Sequence, residues 1–260
     1  DFSPAVDAGS NSLVPGLLTT DLDGNPRRHD DTGVADTGTG TAPIVDMGAY
    51  EKQSNSFVDP CLSISFPYTL PNNLAATLVT AIECANANGA AADTIDLNGQ
   101  IVTLTAVYAN YTGATGLPQV TTEIYLQNGT ITRSGVSEFR LLSASTAATL
   151  RLTDLTLSNG GGTTYASLGG GLSSQGSLLL TRVTMSGHRS TQGGGAIAIP
   201  ALQSGATVSV TDSTLSGNTS LGGSALYFSP GVSGTVTLAG STLVNNVGTG
   251  GPDRKSTRLN

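Results

Sequence analysis

Four copies of one short phrase, at a nearly fixed spacing, constrain the fold of this chain more than any other feature. The copies read LRLTDLTLSN, LLLTRVTMSG, VSVTDSTLSG and VTLAGSTLVN, and they start at Leu150, Leu178, Val208 and Val236. Their spacings are 28, 30 and 28 residues. A period of this size is typical of a solenoid, in which each repeat forms one turn and stacks on its neighbours.

Within each copy, apolar residues alternate and then change phase. Leucine or valine stands at the first and third positions, as in Leu150 and Leu152, which predicts a short strand with one buried face. The fifth position breaks this alternation with Asp154, Arg182, Asp212 and Gly240. Because burying an unpaired charge is costly, this position must turn outward. Apolar residues then resume one step out of phase, so we predict a corner between two strands.

Two further positions of the repeat indicate how its side chains are used. A β-branched residue, suited to the outer face of a pleated sheet, recurs as Thr156, Thr184, Thr214 and Thr242. The next corner carries Asn159, Gly187, Gly217 and Asn245, followed one step later by Asn218 and Asn246. Asparagine and glycine tolerate left-handed turns, and asparagine also bonds to backbone groups. We therefore predict an outward threonine ladder and a structural asparagine corner.

Composition agrees with an all-β chain that is rich in turns. The chain has 260 residues, with 34 Gly, no Trp and only 11% charged residues. Glycine-rich returns such as GGGL at 169–172 and GGGAI at 193–197 supply further corners. Two or three short strands per turn of about 28 residues predict a right-handed parallel β-helix. No apolar run is long enough to cross a bilayer as a helix.

The charge balance narrows the partners that the chain can bind. The formal net charge is −7, and three of the 11 basic residues lie in the last eight positions, DRKSTRLN. This 253–260 tail resembles the translated read-through of a DNA-sequencing adapter, so we expect it to be artefactual. Without it the net charge is −9. Such an acidic chain offers no patch that neutralises phosphates, which argues against nucleic acid and favours glycans, cations or cationic surfaces.

Residues 1–52 lie before the repeats and resemble a known kind of segment. The strings SPAVDAGSN, TTDLDGNPRR and VDMGAYE occur in this order, and the match rests on Pro4, Asp7, Gly9, Asp21, Asp23, Gly24, Arg27, Asp46, Gly48 and Glu51. They resemble the loop-rich closing segment of bacterial surface β-helix proteins of the choice-of-anchor type. The resemblance implies that a β-helix precedes this segment and that the chain is a piece of a longer protein.

The DLDGN string within this segment has two interpretations. Asp21, Asp23 and Asn25 surround Gly24, which resembles the start of a calcium loop because hard cations prefer oxygen ligands on a tight turn. The dipeptides DG and GN are equally common in turns without a metal. A calcium site at Asp21, Asp23 and Asn25 and a purely structural turn both remain open.

Residues 53–92 are predicted to cap the second β-helix. Leu74, Leu78 and Ile82 recur every four residues, which predicts an amphipathic helix over about 73–88 that either Asn72 or Asn73 caps and that Gly89 follows. Such a helix would cover the open end of the coils in 93–252, as solenoids require. AIECANANG resembles the start of CSLREA-type β-helix modules, with repeats like those of polymorphic outer-membrane proteins. Val79 and Thr80 replace the Arg-Glu pair of that motif.

The two cysteines, Cys61 and Cys84, both lie in the cap. A disulfide between them would fasten the helix to the preceding segment and would suit an extracytoplasmic protein. Two buried free thiols are the alternative.

Catalytic candidates are few. Many parallel β-helices cleave acidic polysaccharides with several carboxylates, but the repeats contain only Asp154 and Asp212, with Arg182 between them. A solvated Asp-Arg-Asp ladder at the corner explains these charges more simply. His188 and Arg189, in the variable loop after the second copy, are weak further candidates.

The sequence therefore predicts a non-enzymatic adhesion or surface-presentation module of an extracellular or cell-surface bacterial protein, binding a glycan or another surface ligand. A carbohydrate-active enzyme with its active site largely outside this chain is the alternative, and a passive stalk is a third. No cofactor is predicted apart from the calcium considered above.

Overall fold

The chain forms two compact units. The computed structural model describes residues 4–52, 59–89, 92–165, 167–229 and 234–249. Unit 1 is Asp1–Asp59 and unit 2 is Pro60–Asn260. The tail at 253–260 that is predicted to be artefactual lies outside the described residues. In its described part, unit 1 is built from turns and bends around one 3-10 turn, Asn11–Leu13.

Unit 2 is mostly β. It begins with a 3-10 helix, Pro60–Ser63, and its α-helix, α1, spans Ala75–Ala87. The strands in the described ranges are β1 Tyr68–Thr69, β2 Asp93–Asp96, β3 Ile101–Leu104, β4 Ala109–Asn110, β5 Ala114–Thr115, β6 Glu123–Arg133, β7 Leu142–Ala144, β8 Thr149–Ser158, β9 Leu172–Ser174, β10 Ser177–Thr181, β11 Thr184–Ser186, β12 Ile197–Ile199, β13 Thr207–Thr211, β14 Thr214–Ser216, β15 Thr219–Ser220, β16 Leu226–Phe228, β17 Thr235–Ala239, β18 Thr242–Val244 and β19 Val247–Gly248.

The strands stack into a β-solenoid of about six turns. The main sheet runs β1-β2-β6-β8-β10-β13-β17, and all of its neighbours are parallel. A second face is formed by β7, β9, β12 and β16. Successive strands of one sheet come from successive turns, so each turn pairs mainly with the turn before it and the turn after it. The predicted parallel β-solenoid is confirmed.

The predicted register of the repeats is confirmed as well. Leu150 pairs with Leu178, Leu178 with Val208, and Val208 with Val236. The threonine ladder forms in the same way, and Thr130 of β6 extends it by one turn. None of these threonines is buried, whereas the flanking Leu157 and Met185 are fully buried. The threonines thus line the outer face of the sheet.

The phase change is a corner of left-handed backbone. Residues Asp154, Arg182 and Asp212 have φ of 51°, 54° and 49°, and Gly240 has 58°. All four are exposed. Asn128 in β6 has φ 59° and lies opposite Asp154. The turn that contains β6, whose sequence lacks the repeated phrase, therefore uses the same corner.

The cap helix is shorter than predicted. It begins after Leu74, and Asn72 Oδ1 accepts the Leu74 N–H at 3.0 Å and the Thr77 hydroxyl at 2.9 Å. Leu78 and Ile82 are fully buried, but Leu74 is 59% exposed. The prediction that Leu74 lies on the buried face was wrong. Leu74 precedes the first helical residue and has an extended backbone, so its side chain does not follow the helical spacing of Leu78 and Ile82. Ala81 and Ala85 complete the buried face instead.

A disulfide joins Cys61 to Cys84, with a Cα–Cα distance of 5.3 Å. It fastens the 3-10 helix to α1. Closing a loop with this sequence separation of 23 residues stabilises a fold by roughly 3 kcal/mol, mainly by restricting the unfolded chain.

Candidate functional site

The charged corner of the solenoid is an ion pair. Arg182 Nε donates to Asp154 Oδ1 at 2.6 Å, and its Nη2 donates to Asp154 Oδ2 at 2.7 Å. Both side chains are about half exposed, at 55% and 51%. The hydrogen bonds from Arg182 lower the pKa of Asp154. A general acid of a glycosidase needs a raised pKa to carry a proton at neutral pH, so Asp154 is unsuited to that role.

Asp212 lies one turn further along the same corner. Its carboxylate is packed against the backbone of Gly240, where an added Cβ would lie only 2.2 Å from Asp212 Oδ1. A glycine at position 240 therefore leaves room for the aspartate beneath it. In the predicted Asp-Arg-Asp ladder, Asp154 and Arg182 form an ion pair, and Asp212 occupies the same corner in the next turn.

His188 does not lie in a variable loop, and that prediction was wrong. It stands at the register position that Asn218 and Asn246 occupy in the next two turns, because each of the three follows a left-handed residue of the asparagine corner: Gly187, Gly217 or Asn245. Its side chain is fully buried. It is therefore inaccessible to a substrate, whereas Arg189 beside it is exposed.

The asparagine corner is a chain of side-chain-to-backbone hydrogen bonds. Asn246 Nδ2 donates to the Leu215 carbonyl at 2.9 Å, and Asn218 Nδ2 donates to that of Met185 at 3.2 Å. Each Oδ1 accepts a backbone N–H from the preceding turn. Asn218 and Asn246 thus each satisfy two backbone groups, which would otherwise be costly to bury.

His188 fills the same role with a ring. Its Nδ1 accepts the Gly160 N–H at 2.9 Å, and its Nε2 lies 3.0 Å from the Leu157 carbonyl. Because a carbonyl only accepts, Nε2 carries the proton and the ring is neutral. Burial lowers the pKa of His188 to about 4. The histidine is a structural member of the asparagine corner.

The DLDGN string in unit 1 is organised around Asp21. Its Oδ1 accepts the N–H groups of Asp23 and Asn25 at 2.9 and 2.8 Å, and its Oδ2 accepts that of Glu51 at 3.1 Å. Burial opposes ionisation of Asp21, but these N–H groups lower its pKa. Asp23 is exposed and Asn25 is half-buried. Here the aspartate holds the turn and ties it to Glu51.

A second buried contact supports this unit. Arg27 Nη1 lies 2.5 Å from Glu51 Oε2, and both side chains are almost completely buried. Arg27 Nη2 also donates to the Gly48 carbonyl. Residues from all three strings of the N-terminal segment therefore meet, since Asp46 accepts the N–H of Asp7 at 2.7 Å.

A polar groove lies on the surface of the solenoid. It encloses about 210 Å³, and its described lining residues are Thr112, Ser167, Leu168, Ser173, Gln175, Gln192 and Pro200. Hydroxyl and amide groups predominate, and these lining residues are uncharged. The residues come from three different turns, so the stacking of the solenoid brings them together.

Arg140 fixes one side of this groove from beneath. It is fully buried, its Nη2 donates to the Thr112 carbonyl at 2.8 Å, and its Nε donates to the Tyr165 hydroxyl at 2.8 Å. Tyr165 in turn donates to the Ala114 carbonyl at 3.0 Å. The loop that carries Thr112 is thus held by hydrogen bonds to the turn that follows it.

The groove was not predicted from the sequence. Gln175 and Gln192 stand in the segments between repeated phrases, where lengths vary and no period marks a position. Only the stacking of the turns reveals that they are neighbours.

The parallel stacked strands define unit 2 as a β-solenoid. No family model, curated protein or solved structure matches the chain. Among the helices of the described ranges, none is both long and apolar enough to cross a membrane.

Proposed function

We propose that this chain is an adhesion or surface-presentation module, part of an extracellular or cell-surface bacterial protein of the choice-of-anchor and CSLREA type. The disulfide between Cys61 and Cys84 supports an oxidising compartment, since such bonds persist mainly outside the cytoplasm. The net charge of −7 supports a partner other than nucleic acid. The solenoid supplies a rigid, extended scaffold for loops on its surface.

The polar groove carries the proposal. Its hydroxyl and amide groups can both donate and accept hydrogen bonds, which suits the hydroxyl groups of a sugar. Its uncharged lining favours a neutral glycan over a polyuronate. Its volume of about 210 Å³ suits one sugar ring, with the rest of the glycan extending over the solenoid surface. Leu168 and Pro200 offer apolar surface for the ring itself.

The catalytic groups weighed from the sequence favour binding over cleavage. Asp154 is held ionised by Arg182, and His188 is buried and neutral. Neither group is disposed to transfer a proton to a substrate.

Substitutions in the groove test this proposal. We expect Gln175→Ala and Gln192→Ala each to weaken binding of a neutral glycan about fivefold, because each removes one hydrogen bond worth about 1 kcal/mol. A glycan array would first identify the glycan, and isothermal titration calorimetry would then measure its dissociation constant.

Gln203→Ala is the matched control, since Gln203 is an exposed glutamine that is not among the described residues lining the groove. It should leave the dissociation constant unchanged. Equal affinities for all three variants and the original chain would place the binding surface elsewhere and refute the groove proposal.

A further inference from the structure

Three carboxylates of unit 1 converge on one point. Asp7, Asp30 and Asp36 each offer one oxygen atom, and these three oxygens lie within 4.8 Å of one another. Asp7 is buried, Asp30 is half-buried and Asp36 is exposed. The cluster therefore extends from the interior of the unit to the solvent, and an ion can reach it from outside.

Asp7 lacks the partners that a buried carboxylate requires. It has no exposed surface, and no donor in the described part of the chain makes a hydrogen bond with either of its carboxylate oxygens. The backbone N–H of Asp31 lies close enough to favour the charged form, but burial and the charges of Asp46, Asp36 and Asp30 raise the pKa of Asp7. Burying an unpaired carboxylate is expensive unless a cation compensates it.

Two of the three Lys and Arg side chains in the described part of unit 1 are engaged with other carboxylates, and the third, Arg28, donates to the Asn11 carbonyl at 3.4 Å. Lys52 Nζ forms an ion pair with Asp31, and Arg27 forms one with Glu51. Neither carboxylate oxygen of Asp7 has a hydrogen-bond partner in the described structure, so a bound cation would supply the compensating charge.

We propose that Asp7, Asp30 and Asp36 bind a divalent cation, and that this cation is Ca²⁺. Carboxylate oxygens are the ligands that Ca²⁺ prefers, at about 2.3–2.6 Å, so two oxygens on one Ca²⁺ lie at most about 5 Å apart. The three carboxylate oxygens lie within 4.8 Å of one another, which meets this condition. Mg²⁺ demands a near-ideal octahedron and gives up its bound waters reluctantly, so a site made of protein carboxylates on irregular loops suits Ca²⁺ better.

This site is separate from the calcium loop considered in the sequence. In the DLDGN turn the carboxylate of Asp21 accepts three backbone N–H groups, which fill about three of its four lone-pair sites. Asp7 presents the opposite situation, with a buried carboxylate that makes no hydrogen bond in the described structure.

Calorimetric titration of the chelator-treated full chain with CaCl2 tests the proposal. We expect one saturable site per chain with a dissociation constant of about 1 mM or tighter, in the range of extracellular calcium modules. Asp36→Asn should weaken Ca²⁺ binding at least tenfold, and because Asp36 is exposed the variant should keep its circular dichroism spectrum. MgCl2 should bind more weakly than CaCl2.

Glu83→Gln is the control, because it removes one exposed carboxylate charge from unit 2. The Glu83→Gln variant should bind Ca²⁺ as tightly as the original chain. Absence of saturable Ca²⁺ binding, or an unchanged affinity in Asp36→Asn, would overturn the site. Loss of binding in Asp23→Asn with Asp36→Asn unaffected would overturn it in favour of the DLDGN turn, and equal affinity for Mg²⁺ would overturn the assignment to calcium.

Discussion

Leu180→Ala is expected to lower the free energy of unfolding by about 4 kcal/mol, whereas Leu179→Ala should cost less than about 1 kcal/mol. Leu180 is fully buried and pairs in register with Leu152 and Val210 of the neighbouring turns. Truncating it leaves a cavity that the stacked turns cannot close. Leu179 points to the outer face of the same strand and is only half-buried.

The two substitutions remove the same atoms from adjacent positions, so their difference reports which face of β10 is inside. Urea denaturation followed by circular dichroism would give both values. Equal costs, or a larger cost for Leu179→Ala, would contradict the register of the solenoid, because a slip of one residue exchanges the two faces.

Acidification is expected to remove about 3 kcal/mol of stability through His188 alone. Above pH 6.5 the ring is neutral in both the folded and the unfolded chain, so its titration does not change the free energy of unfolding. Between pH 6.5 and about 4 the unfolded chain binds a proton that the folded chain excludes, so stability falls as the pH falls. Below about pH 4 the folded chain is protonated as well, and the loss from this residue levels off.

His188→Asn should remove this contribution. The next turns place Asn218 and Asn246 at the same position, where each donates to one backbone carbonyl and accepts one backbone N–H. An asparagine at 188 can make the same two bonds without a titrating group. Unfolding measured at intervals from pH 7 to pH 4 should show a smaller loss in the variant by about 3 kcal/mol. Parallel curves for both chains would show that His188 does not carry the effect.

Positions that recur in each copy of the repeated phrase could be assigned to strands and corners from the sequence. Positions outside the repeated phrase could not. The corner at Asp154, Arg182 and Asp212 was predictable because a charge interrupts the same apolar alternation in each copy. Asn128 forms the same corner, but its turn lacks the phrase, and only pairing with β8 identifies it. His188 was misplaced because a histidine replaces the asparagine of the later copies.

The candidate sites depend on contacts between distant segments. Gln175 and Gln192 meet at the groove because turns stack, and Asp7 and Asp36 meet because the loops of unit 1 fold back on one another. Neither pair has a spacing that hydrophobic periodicity can detect. The motif strings of the N-terminal segment include Asp7 but neither Asp30 nor Asp36, so they could not indicate the cluster.

Binding of a glycan without cleavage is tested most directly by measuring, on one preparation of the chain, both how much glycan it retains and which products it releases. The purified chain would be incubated with the neutral glycan selected by the array and, separately, with polyuronates, and the products would be examined for unsaturated uronates and new reducing ends. We expect saturable retention of the neutral glycan with its length unchanged, and no products from the polyuronates. Accumulation of cleaved products, lost on substitution of Asp154 or Asp212, would contradict it.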